Sequence, residues 1–156
     1  MTKTERALND LHDREQIREL TARYCFLIMV GQMKKVLDLF TDDGLFTSNT
    51  GLEARGKPAL RAMYDLVARS RPVPFIHNHV IRVSGETAVG TCGVEVRAVI
   101  RGTHHVLSGY YRDRYVKVGS RWKFHARAMH ILRDEFGAAA TSVVPSRRRK
   151  PPRRSA

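Results

Sequence analysis

Apolar residues in the first third of the chain recur at helical spacing. From Asp13 onward, Ile17, Leu20, Thr21, Tyr24 and Ile28 fall three or four positions apart and make one face. Asp13 is placed to cap this helix, with Glu15 in its first turn, and residues 1–12 read as a leader. Gly31 closes the helix. A short second helix is expected over residues 33–40, with Val36, Leu37 and Phe40 inward. Thr41-Asp42-Asp43-Gly44 reads as a turn into a short strand at 45–47, and residues 51–56 as another turn region. A third helix fits residues 57–69. Its Pro58 is tolerated in the first turn, and Leu60, Met63, Tyr64, Leu66 and Val67 make its apolar face.

After Arg71-Pro72-Val73-Pro74 the period changes from about four to two. His77, His79, Ile81 and Val83 alternate with Asn78, Val80 and Arg82, which points both histidines inward. Ser84-Gly85-Glu86 is a hairpin turn. The strand expected over 87–100 carries a small apolar face of Ala88, Gly90, Cys92, Val94, Val96, Ala98 and Ile100. A further strand over 106–118 places Leu107, Gly109, Tyr111, Asp113 and Tyr115 on one side, and a last strand covers 122–132. Helices followed by four hairpin-linked strands mean an α+β fold with an antiparallel sheet. Gly90, Gly93 and Gly109 would let the strands bend, and a bent sheet closed by helices encloses a pocket.

Composition supports one domain: 156 residues, 42% of them hydrophobic. The longest apolar run, residues 24–30, is far too short to cross a membrane, and the polar N-terminus lacks the apolar centre of a signal peptide, so a cytoplasmic location is expected. Cys25 and Cys92 lie in apolar stretches without metal-ligand spacing and read as buried free thiols. The net charge of +13 is uneven, because residues 147–154 (RRRKPPRR) alone carry six positive charges. Residues 137–156 are expected to form an unstructured tail. Without aromatic residues for stacking, 147–154 would make only a weak, non-specific contact with a polyanion.

Several segments together resemble the SnoaL-like family of the nuclear transport factor two-like superfamily. They are REQIRELTARYCFLI, VLDLFTDDGLF, GKPALRAMY, HNHVIRVSGETAVGTC and SGYYRDRYVKVGSRWKFHAR, in that order, within residues 13–132. The resemblance implies a cone-shaped α+β barrel: three N-terminal helices packed on a strongly bent antiparallel sheet, spanning 13–136. It implies little about activity, since the superfamily includes scytalone dehydratase, hexachlorocyclohexane dehydrochlorinase, polyketide cyclases, ketosteroid isomerase and non-catalytic modules. The dehydratase and dehydrochlorinase relatives use an Asp–His pair in which the His is the base. Alignment puts Met29 where that Asp would stand and Pro74 where that His would stand, and neither side chain moves protons. The positions matching the dehydrochlorinase pocket wall are Val94, Val96, Leu107, Gly109, Tyr111, Met129 and Ile131, and Met29 is expected to line the pocket with them. Tyr111 alone among the wall positions is strongly polar.

Two readings stay open. In one, the chain is a lyase or isomerase, free of cofactors, that moves protons on a small apolar, polycyclic or polyketide-like compound. Its candidate catalytic groups are His79, His77, Tyr111 and Tyr24, because imidazole titrates near neutrality and phenols polarise carbonyls or orient water. In the other, it is a binding module that keeps the pocket without the pair. A nucleic-acid role driven by the tail is a more distant third. No metal-ligand spacing stands out, even counting His104, His105 and His130. Asp113, between two arginines, matches a position that relatives usually keep acidic, and is expected to pair structurally with a base such as Arg127. A homodimer or homotrimer is expected through the outer sheet face around Val80, Val89 and Val99.

Overall fold

A computed structural model describes residues 1–136. The tail expected over 137–156, with the basic run at 147–154, lies outside the described residues.

Helix α1 spans Lys3–Met29 and begins ten residues earlier than the apolar face suggests. The reason is a capping box: the Thr2 hydroxyl accepts from the Glu5 amide at 3.1 Å, and the Glu5 carboxylate accepts from the Thr2 amide at 2.6 Å. Asp13 is therefore not a cap. It faces the sheet, and its carboxylate accepts from the Trp122 indole at 2.9 Å and the Lys117 ammonium at 2.7 Å. This clasp ties α1 to the last hairpin. Burial alone would raise the Asp13 pKa, but the bonds from Lys117 and Trp122 outweigh it and hold the group below its usual 3.8. Asp13→Ala should cost about 1.5–3 kcal/mol at neutral pH. A depressed carboxylate stabilises above its unfolded pKa and stops doing so as pH falls through its folded pKa. Urea titrations of wild type and variant should therefore converge as pH drops below 3.8. A gap that is constant with pH would remove the carboxylate from the account.

Helix α2, Met33–Leu37, is shorter than expected, because Phe40 already opens strand β1, Phe40–Ser48. Thr41-Asp42-Asp43-Gly44 is not a turn but an irregular part of that strand, with a register shift between Phe40 and Leu45. Gly44 is needed there, since a Cβ would come 2.9 Å from the Thr41 carbonyl. A three-residue strand, β2 (Glu53–Arg55), precedes α3 (Gly56–Val67) and one 3-10 turn (Ala68–Ser70). The ammonium of Lys57 on α3 donates to the carbonyls of Leu37 and Phe40, fixing α3 against the α2–β1 link.

Strands β3 (Val73–Ser84), β4 (Thr87–Ile100), β5 (Thr103–Val118) and β6 (Arg121–Phe136) form the hairpin series. The sheet has six strands in the order β2-β1-β6-β5-β4-β3. It is mixed rather than wholly antiparallel: β1 runs parallel to β6, and the other neighbours are antiparallel. The fold is α+β, with the helices packed on one sheet face. Two of the register shifts in that sheet bear on the expected site residues. One lies between His77 and Val80, where Asn78 takes a φ of +52°. The other lies at Gly109, where a Cβ would stand 1.9 Å from the His130 carbonyl, so no other residue lets β6 approach so closely.

The core lies between the helices and the inner sheet face. Ile17, Phe40, Leu60, Tyr64, Tyr115 and Phe124 are among its most buried members. Cys25 and Cys92 are buried free thiols, and burial pushes Cys92 up to about 12. No described helix is long and apolar enough to cross a membrane.

Candidate functional site

Between α1, α3 and the inner sheet face, the core stops short of closing and leaves a cavity of about 180 Å3. Helix α1 supplies Tyr24 and Ile28, α3 supplies Met63, Tyr64 and Val67, and β1 supplies Phe46. The sheet supplies Pro74, Val96, Ala98, Leu107, Tyr111, Met129 and Ile131. Ser48, Thr50, Leu52, Ser70 and Ile100 also line it; Leu52 and Ile100 are exposed, which places them at the mouth.

The polar part of this wall is a group of phenols. The hydroxyls of Tyr24 and Tyr64 are 3.0 Å apart and hydrogen-bonded. Tyr111 meets Tyr24 edge to face with centroids 6.4 Å apart. Burial raises the pKa of all three, Tyr64 and Tyr111 well above the usual phenol value, so they are neutral donors at pH 7. No carboxylate, imidazole, amine or thiol lines the cavity among the described residues.

Tyr24 and Tyr111 thus reach the cavity, as do Val96, Leu107, Met129 and Ile131. The other expected site residues stand elsewhere. His77 is exposed on the outer face, because the bulge at Asn78 breaks the alternation that pointed it inward. His79 does point inward but outside the cavity wall. Its Nε2 lies 3.2 Å from the Tyr115 hydroxyl, and burial lowers its pKa, favouring neutral imidazole. Met29 is 43% exposed at the end of α1, since one helical step of about 100° beyond Ile28 turns it away. Val94 is packed in the core, and the wall begins one inward position further along β4, at Val96. Gly109 is occupied with the bulge against β6.

Tyr64, Met63 and Phe46 were not singled out as site residues. Tyr64 was legible only as a member of α3's apolar face. Its signal was a hydroxyl at an inward helical position, which needs a polar partner there.

Beneath the phenols lies the ion pair expected at Asp113. Asp113 and Arg127 are cross-strand partners, both with fully buried side chains. Arg127 donates through Nε to Oδ1 and through Nη2 to Oδ2, each at 2.9 Å. Burial works against the guanidinium's charge, but Asp113 overrides it and holds the Arg127 pKa well above its ordinary value.

This fold has counterparts among known proteins. A SnoaL-like domain matches residues 9–128. A protein of unknown function from Mycobacterium tuberculosis, Rv3472, is 28% identical with a TM-score of 0.71, over 86% of this chain and 77% of its own. An NTF2-like protein with a cystatin-like fold from Novosphingobium aromaticivorans is 27% identical with a TM-score of 0.74, over 90% and 93%. A type 2 hexachlorocyclohexane dehydrochlorinase shares the fold at 16% identity, with a TM-score of 0.79 over 90% and 99%. Curated proteins give no match. With a helix-covered sheet, a cavity between its layers and a family match over most of its length, the chain belongs to the SnoaL-like domain family.

Proposed function

We propose that this protein binds a small apolar molecule in the cavity without turning it over. The observation that carries the reading is the wall itself: among the described residues its only ionisable groups are three tyrosines that burial keeps protonated. Acid–base catalysis needs a group that exchanges a proton near pH 7 and typically contributes about 10²–10⁴-fold. His79, the inward imidazole considered for that role, is engaged with Tyr115 outside the wall. The volume limits the ligand further. A cavity of about 150 Å3 accommodates benzene, so about 180 Å3 suits one substituted ring better than a polycyclic compound.

The test is a panel of single-ring and four-ring compounds, each assayed for binding by calorimetry and for turnover by chromatography. Single rings should bind, steroids should not, and neither should be converted. Turnover abolished by His79→Ala or Tyr111→Phe in a folded protein would replace this reading with the lyase or isomerase one.

Self-association through the outer sheet face belongs to the same proposal. Val80 and Val89 lie there, 64% and 44% exposed. They stand in two cross-strand rows, Arg82–Val89–Arg114 and Val80–Thr91–Arg112. Apolar contact between copies would bring these arginines together, so association should tighten as salt screens them. Sedimentation at micromolar concentration should show an oligomer favoured by salt; a monomer at every ionic strength would remove the face from consideration.

A further inference from the structure

The Asp113–Arg127 pair does more than fill the core. A fully buried ion pair is weak evidence for stability, because stripping both groups of water offsets much of their attraction. Its orientation is informative. The Asp113 carboxylate turns toward Tyr115, whose hydroxyl donates to Oδ2 at 2.9 Å, and Tyr115 leads away from the cavity to His79. The guanidinium turns the other way. Its carbon lies 3.8 Å from the centre of the Tyr111 ring and 4.3 Å from that of Tyr24, two of the three phenols on the cavity wall. Nη1 of Arg127 has no hydrogen-bond partner among the described residues. The positive end of the pair is therefore spent on aromatic faces.

We propose that Arg127 is the specificity-determining residue of the cavity. By seating positive charge on the faces of Tyr24 and Tyr111, it strengthens their hydroxyls as donors. The cavity then favours a small ring carrying one strong neutral acceptor, above all a ring ketone, over a hydrocarbon of the same shape. This assignment rests on the binding reading above.

Three further points support it. Burial lifts the pKa of Tyr24, Tyr64 and Tyr111, and Arg127 is the positive charge that pulls each of them back. Tyr24 and Tyr64 share one hydrogen bond, so one of these two protons is always left for a third acceptor. Finally, Asp113 cancels the net charge of Arg127, so an anionic ligand would be buried without a counter-charge, whereas a carbonyl needs none. Arg127 acts through the phenols and is a positioning residue, with no contact to the ligand.

The experiment compares cyclohexanone with methylenecyclohexane, which replaces the carbonyl oxygen by a CH2 group. Affinities are measured on wild type and on the double variant Asp113→Leu/Arg127→Met, a replacement of the kind that buried ion pairs often tolerate. The ketone-to-hydrocarbon affinity ratio should fall about tenfold in the variant, the difference between a charge-assisted and an ordinary hydrogen bond. Hydrocarbon affinity should change by less than about twofold, since the wall itself is untouched. The C=O stretch of bound cyclohexanone should shift to lower frequency in wild type and relax toward its apolar-solvent position in the variant. If the apolar pair unfolds, Asp113→Asn/Arg127→Gln is read in the same way. An unchanged ratio and an unchanged C=O band, with both ligands bound, overturn the role of Arg127. Failure of wild type to bind either compound overturns the binding reading and this assignment with it.

Discussion

Asp113→Ala should lower the unfolding free energy by about 3–5 kcal/mol, among the largest losses expected from a single substitution in this chain. Removing the carboxylate leaves the Arg127 guanidinium charged, stripped of water and without its two hydrogen bonds at 2.9 Å. It also leaves the Tyr115 hydroxyl without its acceptor. Arg127 cannot escape by shedding its proton, since arginine stays charged in proteins. Nor can it swing into water, because it is packed among Tyr24, Tyr111 and Phe124 with ring centres 3.8–4.3 Å from its guanidinium carbon. Equilibrium denaturation in urea measures the loss directly. The double variant that removes both charges should be far more stable than either single alanine variant, which separates the cost of an orphaned charge from the worth of the pair. A loss below about 1 kcal/mol for Asp113→Ala would mean that water reaches Arg127, contrary to its complete burial.

That pair was legible because Asp113 matches a position that the family resemblance marks as acidic, on the same strand face as Tyr111 and Tyr115. The bounds of β4 were legible for a different reason: turn residues stand at both ends of a strictly alternating run. What failed to show were the places where a regular period breaks. A bulge adds one residue and reverses the facing of everything on one side of it, so His77 and His79 were read as a pair when only His79 faces in. Thr41-Asp42-Asp43-Gly44 has turn composition but sits in a strand, because pairing with β6 overrides local preference. The parallel β1–β6 pairing joins segments about eighty residues apart, and no local pattern encodes it. Met29 and Ile28 are one residue apart on a helix, and alignment by motif cannot resolve a rotation of that size. The three phenols were individually visible, but their convergence from α1, α3 and β5 is a property of the packed layers.

Filling the cavity should separate function from stability more sharply than any change to the phenols. Val96 lies on β4 with its side chain in the cavity wall. Val96→Phe would extend an aromatic ring into a space of about 180 Å3 that holds no more than one substituted ring. Ligand affinity should fall at least about a hundredfold, because steric occupation cannot be relieved without moving the β4 backbone. Stability should move the other way or barely change. Empty core volume costs about 24 cal/mol per Å3, which sets an upper bound of about 4 kcal/mol for a sealed cavity of this size. This one opens past Leu52 and Ile100, so the recoverable part is smaller, about 1 kcal/mol. The two readouts are ligand titration and thermal unfolding on the same preparation. A blocked cavity in a protein that melts at or above the wild-type temperature would mean that the fold keeps this space open for an occupant at the expense of its own packing. Loss of binding accompanied by a fall of several degrees would instead point to overpacking, and unimpaired binding would put the ligand somewhere other than between α1, α3 and the sheet.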